Sequence, residues 1–407
     1  LDNVTHTLIG ALLGETADRI APHAGSETQA RARRTLFLSV MVVGSNLPDC
    51  DILYSWWTGN KLDYLLEHRG YTHTVIGALI GSASMLVACE AWQRWRRMDL
   101  SARDRGWLVG LAILAPLLHI AMDSFNTYGV HPWWPIDNRW HYGDAVLIVE
   151  PLFWAAAAPL AFSLRSLVTR WFVVLPLVAA IYLAVVTQIV TVASIAVFGV
   201  LAIAMLALGR YARPVVALVC GIGVWLVTTA AFTIESGLAR ARVDAYATAQ
   251  WTHWTTLDRV LTPMPINPFC WELILIQVDG DAYALRRAIL STAPASMLRF
   301  QCPMRGMARD ITALLRPVDA PDAPFLHWHG EIVLARERLR ELAASSCEVQ
   351  ALMRFARAPW FTDRVVGDLR YDREPGLGFA ELDLTRLPPC PAYMPPWVPP
   401  RSDLLSR

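Results

Sequence analysis

The chain has 407 residues, 55% of them hydrophobic, with a mean hydropathy of +0.35 and a formal net charge of +1. So apolar a composition excludes an ordinary water-soluble domain and points to several membrane spans. The small net charge leaves no basic field for nucleic acid, and none is expected as a partner. In chain order, residues 4–14 form a short apolar run interrupted by His6. The opening "LDNVTHTLIG" lacks the basic region of a signal peptide, so no secretory leader is expected in it. Residues 35–48 form a second run, entered through Arg31, Arg33 and Arg34 and left through "NLPDCD". Both runs fall short of the roughly 20 residues of a full span and read as helices packed inside a bundle. Residues 71–88 are long enough to cross, a basic loop follows with Arg94, Arg96, Arg97, Arg103 and Arg105, and residues 107–122 return. Residues 123–144 are polar and rich in Trp. Four strongly apolar stretches come next, at 145–164, 171–190, 191–208 and 214–232. The last three hold no acidic residue and read as lipid-facing anchors.

Arginine placement fixes an orientation. The clusters Arg31/Arg33/Arg34, the basic loop, Arg165/Arg170 and Arg210/Arg213 alternate with the apolar stretches and belong in the cytoplasm. The opposite ends then face outward, and they carry His6, "NLPDCD", "EHRGYTH" and "HIAMD". One topology thus gathers these polar groups at the outer membrane surface. From residue 235 the chain is polar and rich in Pro, with no span, and the same pattern puts it outside. There "WELILIQVDGDAYALRRAIL" reads as a hairpin around Asp279 and Gly280, residues 333–357 contain a helical run, and "RVVGDLRYDREPGLGFAELDL" reads as a closing pair of strands. Cys270, Cys302, Cys347 and Cys390 would lie in an oxidising compartment, so at least one disulfide is expected. The expected architecture is mainly α, a polytopic transmembrane helical bundle with a C-terminal soluble α+β domain. Its parts are a membrane-embedded metal-site domain at 1–150, transmembrane anchor helices at 151–234 and an extracytoplasmic domain at 235–407.

The chemistry centres on "PLLHIAMDSFNTYG". His119 and Asp123 are four apart, hence on one helix face, and an imidazole beside a carboxylate makes two arms of a metal site. A buried hydrogen-bonded pair is the plainer alternative. Asp49 and Asp51 follow a helix-ending Pro; one such Asp is usually a cap, but two at the mouth of an apolar run are costly without a partner. His73 starts the next helix, with His68 just before it and His6 near the start of the chain. Asp137, His141, Asp144, His131 and Glu150 lie in or beside the Trp-rich loop, which an interfacial role largely explains. No CxxC pair is present, so the set is imidazole and carboxylate, suited to Zn²⁺ first and to Mn²⁺ or Fe²⁺ as alternatives. Such ions activate water and polarise a phosphoryl or carbonyl oxygen. Arg69, between His68 and His73, would hold an anionic oxygen or else snorkel to the interface. His327 and His329 in "HWH" share a strand face without a third ligand, and His253 reads as an interface or packing residue.

"DNVTHTLIGALLG", "NLPDCDIL", "HRGYTHT", "LLHIAMDSFNTYG" and "WWPIDNRW" resemble, in order across residues 1–150, the successive motifs of the YdjM-type family of membrane-bound, metal-dependent hydrolases. "TPMPINPFCWELILI" and "VVGDLRYD" are similar to the outer domain of longer members. The resemblance implies a bacterial inner-membrane hydrolase acting on an ester or phosphodiester, with phospholipids among the substrates, membrane lipids as surroundings and a divalent metal as cofactor. It is consistent with His6, Asp49, Asp51, His68, His73, His119 and Asp123 as metal ligands, and with Asp49, Asp51 and Arg69 in catalysis. A looser likeness to zinc-dependent phospholipase C and fungal single-strand nucleases would add His131, His141 and Glu150, but Ala145 stands where their later His-x3-Glu pair needs a Glu. The rival reading is a non-catalytic metal-binding envelope-stress or assembly protein, with protein partners unspecified. A metal transporter fits less well, because no acidic residue lies along residues 171–232 to form a pathway.

Overall fold

The computed structural model describes residues 1–22, 26–295, 297, 299–303, 315–373 and 376–406. Helix α1 (Asn3–Ile20) opens on Asp2, whose side chain accepts from the Thr5 backbone N–H. Helix α2 (Glu27–Gly44) opens on a reciprocal cap between Ser26 and Gln29. The two lie against each other, and Gly10 is what lets them touch: a Cβ there would stand 2.6 Å from the Met41 carbonyl oxygen. This is the small-residue contact by which membrane helices approach closely.

After α2 the chain bends by 53° into the Leu47–Thr58 segment. Pro48 sits in the first turn of a 3-10 stretch, Leu47–Asp51, which runs into α3 (Ile52–Thr58). Next come α4 (Lys61–Glu67), a 3-10 turn at Tyr71–His73, α5 (Val75–Arg96) and α6 (Ala102–Ser124). Then α7 (Pro151–Ala156), α8 (Leu160–Ser163), α9 (Leu167–Thr187), α10 (Val192–Tyr211) and α11 (Pro214–Gln250) complete the bundle. Among the described residues five helices, α5, α6, α9, α10 and α11, are long and apolar enough to cross a membrane; α2 with the bent segment makes a sixth if counted as one broken span. Half of the apolar window of α6 is buried against 17% for α5, so α6 is the central post and α5 faces outward.

The apolar stretch at 145–164 forms no span of its own. That stretch starts as extended chain and then forms α7 and α8, two short helices with nearly every residue buried. Its Ala- and Pro-rich composition makes a small, tightly packed plug. At Gly209 on α10 a Cβ would meet Pro159 Cα at 2.8 Å, which shows how closely the anchors close around it. Hydropathy alone cannot separate such a plug from a lipid-facing helix.

The arginine-rich ends meet at one level. Arg34 donates to the Ser163 carbonyl at 2.8 Å, and Arg33 pairs with Asp18 at 2.9 Å and Asp104 at 3.7 Å. The ends bearing His6, Asp49, His73 and Asp123 therefore share the other level.

At that second level α11 carries the chain into the C-terminal region. Strands β1 (Thr255–Met264), β2 (Asn267–Asp279), β3 (Ala282–Ser291) and β4 (Leu326–Ala335) form one antiparallel sheet in sequence order. The expected hairpin is present, with Asp279 opposite Ala282 and Gly280 at φ +55° supplying the left-handed turn residue. Helices α12 (Arg336–Ser345) and α13 (Cys347–Met353) follow. A small sheet of β5 (Pro359–Phe361), β6 (Val365–Asp368) and β7 (Glu381–Asp383) contains the expected closing strands, although residues 374 and 375 of that stretch lie outside the described residues.

Two ties dock this region on the bundle. Arg357 makes a bidentate pair with buried Asp144, at 2.7 and 2.8 Å, and also holds Asp258 at 2.7 Å. Trp397 Nε1 donates to the Leu66 carbonyl at 2.8 Å, and its ring stacks 3.9 Å from that of His131. Two disulfides cross-link the region, Cys270–Cys302 and Cys347–Cys390. Peptide mapping without reductant should recover both pairs and no mixed pairing. Removing either closes no loop in the unfolded chain and should cost about 3–4 kcal/mol, read as a lower Tm for the Cys→Ser pair variants.

Candidate metal centre

Four elements bring the ligand set together. Helix α6 presents His119 and Asp123 on one face, both fully buried. The bend after α2 turns Asp49 and Asp51 inward, with 9% and 6% of their side chains exposed. The Tyr71–His73 turn brings in His73, and the end of α4 brings in His68. The turn lies against α5 at Gly77, where a Cβ would meet the Tyr71 carbonyl at 2.2 Å.

His119 Nδ1 lies 2.7 Å from the Ser45 carbonyl, which requires the proton on Nδ1 and leaves the Nε2 lone pair free for a ligand role. His119 Nε2 and His73 Nε2 face each other at 3.0 Å. Asp49 Oδ1 lies 3.4 Å from His73 Nε2 and 3.5 Å from His119 Nε2. Asp123 Oδ2 lies 3.5 and 3.4 Å from the same two nitrogens. Five of the six spacings among these four ligand atoms are 3.0–3.5 Å, and all four lie within 4.8 Å of one another. A regular tetrahedron with such edges has its centre about 2.1 Å from each corner, the distance of Zn²⁺ to imidazole nitrogen or carboxylate oxygen.

Charge makes the same case. Asp49, Asp51 and Asp123 bring three negative charges into a closed space against two cations, the Arg69 guanidinium, whose Nε is 3.1 Å from Asp123 Oδ2, and the Leu1 amino group, which pairs with Asp123 Oδ1. Uncompensated buried carboxylates are expensive, and a divalent cation supplies the missing charge. Burial pulls the pKa of His73 down, and the carboxylates of Asp49 and Asp51 more than reverse this, leaving it above the ordinary value. The surroundings of His73 favour a positive charge. The residues present fit a divalent metal.

A second group, Asp49, Asp51 and His68, adjoins the first. His68 Nδ1 lies 3.0 Å from Asp51 Oδ1, while Asp51 Oδ2 accepts from the Arg69 backbone N–H and from Thr72 Oγ1, each at 2.9 Å. Burial lowers the pKa of His68 despite Asp51 beside it. Asp49 belongs to both groups, as a carboxylate bridging two ions would. His6 stands at the edge: its Nε2 is 3.3 Å from Asp123 Oδ1, and its ring stacks 3.8 Å from that of His119. Every metal-ligating residue expected from the sequence thus lies in or against one cluster.

The residues that a trinuclear set would add lie elsewhere, in keeping with Ala145 standing where such a set needs a Glu. His131 is wedged between Trp140 and Trp397 with Nδ1 on the Arg69 carbonyl at 3.3 Å, and burial drops its pKa to about 3. His141 pairs through its backbone with Val130 and sits beside Asp137. Glu150 caps α7 and accepts from the Ile266 backbone; burial raises its pKa to about 8. Asp144 holds Arg357. His327 and His329 face each other on β4 with rings 5.4 Å apart, and His327 pairs with Asp322 at 2.6 Å. His253 is exposed.

The supporting shell escaped sequence reasoning. Asn3 donates to Asp49 Oδ2 at 2.9 Å, and Asn126 accepts from Arg69 Nη1 at 2.8 Å. Arg69 sits at φ +64° and stacks 4.7 Å above the ring of Tyr128. A cavity of about 380 Å³ adjoins the cluster, lined by Asp49, His68, Arg69 and Tyr128 and by Tyr371 and Phe379 from the C-terminal region. The only signal for Asn3 and Asn126 was their nearness to His6 and Asp123. Nothing local marked Tyr371 or Phe379.

Comparison with known proteins bears on the half of the chain that holds this cluster. YfhP of Bacillus subtilis (strain 168), described as an uncharacterized protein, is 29% identical over 140 residues, an alignment covering 34% of this chain and 39% of that relative. No solved structure matches the chain. The sequence model of the YdjM inner membrane proteins matches residues 1–211, all of the ligand-bearing elements and most of the spans, and the chain belongs to that family of multi-pass inner-membrane proteins.

Proposed function

We propose that this protein is a membrane-bound, metal-dependent hydrolase that cleaves an ester or phosphodiester of a lipid. The observation that carries the reading is the tetrahedral corner set of Asp49, His73, His119 and Asp123 beside an open cavity. A divalent metal held there, with zinc the best fit, would polarise the scissile group and make water nucleophilic near neutral pH. Asp51 and His68 remain next to that set as a hydrogen-bonded pair, with His68 lining the cavity, placed to take a proton from attacking water. A second ion would be held by Asp49, Asp51 and His68. Arg69 holds the oxygen on which charge develops.

A lipid substrate is favoured by the surroundings. Helix α3 begins at the cavity wall with Ile52, and its Trp56 and Trp57 are 78% and 85% exposed, as interface-seated tryptophans are. The bilayer headgroup zone then lies level with the cluster, and the C-terminal domain is periplasmic.

The test uses purified full-length protein against a panel of phospholipids, phosphodiesters and carboxylic esters, with and without chelator. Turnover should vanish with chelator and return with added Zn²⁺. Turnover that survives His119→Ala with Asp123→Ala sinks the hydrolase reading. Metal bound at the cluster with no turnover of any substrate supports the rival, a non-catalytic metal-binding protein.

A further inference from the structure

The cavity beside the cluster has a second set of polar groups that the ligand argument does not use. Tyr128 comes from the loop after α6, and Tyr371 from the far end of the chain. Both hydroxyl oxygens are buried, and neither has a hydrogen-bond partner among the described residues. Both residues line the cavity, with ring centres 6.2 Å apart. Phe379 packs 5.1 Å from the Tyr371 ring, and His68 lies edge-on 5.5 Å from Tyr128. Arg69 stacks on Tyr128 and lines the same space. A buried hydroxyl without a partner is costly, so something that enters the cavity is its partner.

The sign of that partner follows from the charges around it. Three carboxylates face the Arg69 guanidinium and the Leu1 amino group, and one or two divalent ions bring the cluster to a net positive charge. Tyr128, Tyr371 and Arg69 then line a space where a negatively charged group that draws in the two hydroxyls is stabilised and a neutral carbonyl leaves donors unused. Resting on the metal-dependent reading above, we propose that Tyr128 and Tyr371 form, with Arg69, a subsite for phosphoryl oxygens, so that the C-terminal domain contributes directly to the site and selects phosphoesters over carboxylic esters. In this arrangement the two tyrosines donate to non-bridging oxygens of the substrate phosphate. Phe379 closes the cavity above them and excludes water. Tyr371 and Tyr128 are binding residues here, and no bond is made to them.

The experiment is calorimetric titration of Zn²⁺-loaded full-length protein in detergent, with two probes: inorganic phosphate and a short-chain phosphatidic acid. Tyr128→Phe, Tyr371→Phe and the double variant keep the rings and remove only the hydroxyls. Tyr393→Phe serves as control, since its hydroxyl pairs with that of Tyr71 away from the cavity. Phosphate affinity should fall about tenfold or more in the double variant and stay unchanged in the control, with equal metal content and Tm in all four. Loss with both probes identifies the phosphoryl group as what the tyrosines hold. Loss with the lipid alone, or wild-type affinity for phosphate in the double variant, overturns the proposal. The hydrolase reading is judged separately: tyrosine-dependent phosphate binding without any turnover leaves this subsite standing and removes that reading. Metal-dependent turnover of carboxylic esters, with phosphate binding indifferent to both tyrosines, does the reverse.

Discussion

His119→Ala should lower metal affinity by more than about a hundredfold, because loss of a supporting group alone typically costs ten- to a hundredfold and here a corner of the tetrahedron is lost. The measurement is metal content by mass spectrometry after dialysis against a weak chelator, with the Tm of wild type and variant followed as Zn²⁺ is added. Wild type should gain stability with metal, about 4 kcal/mol once the free ion exceeds its dissociation constant a thousandfold. The variant should gain little over the same range. Ser45 contributes only its carbonyl to His119, so Ser45→Ala should retain metal and serves as the matched control. Equal metal content in wild type and His119→Ala would remove His119 from the ligand set.

Arg357→Ala should destabilise the docked C-terminal domain by about 3 kcal/mol, the lower end of what removing one partner of a buried ion pair costs, since Arg240 and Arg401 stay beside the two carboxylates. Two acids lose a partner at once, Asp144 on the bundle side, which keeps Arg240, and Asp258 on β1, which keeps Arg401. The expected readouts are a lower Tm and new protease cleavage in the Trp-rich loop, with metal content retained, since none of the ligands touches this network. Arg357→Lys should recover only part of the loss, because an ammonium cannot reproduce the bidentate fork. The pH dependence has a definite sign. Burial alone would raise the pKa of Asp258, but Arg357 and Arg401 more than offset it, and the folded carboxyl titrates far below the ordinary range. Its contribution is therefore complete above the pKa of an unfolded aspartate, about 3.9, and is lost as pH falls below that value.

The candidate cluster was legible because each member sits at a place where sequence speaks locally. His119 and Asp123 share a helix face by spacing, Asp49 and Asp51 follow Pro48, and His73 opens a span. Alternating arginine clusters then joined these local signals, and the meeting of Arg33, Arg34, Asp104 and Ser163 bears out that one end of the bundle collects them. What stayed hidden depends on long-range contact. Residues 145–164 look like a span because apolarity is the same whether the neighbour is lipid or protein. The role of Asp144 needs Arg357, more than 200 residues later. His131 had the right chemistry for a ligand, but two indole rings enclose it.

The roof of the cavity has a consequence for the order in which the site is built. All the residues of the two candidate metal groups lie between Asp49 and Asp123, ahead of the three anchors α9, α10 and α11. The C-terminal residues that line the cavity, Tyr371 and Phe379, and Trp397, which docks on the Leu66 carbonyl, are synthesised last. During biosynthesis the cluster therefore stands open to the surrounding ions while most of the chain is still to come. Trp397 docks on Leu66 and His131 only after that. The candidate metal groups are thus complete in sequence well before the C-terminal residues that line the cavity beside them are made.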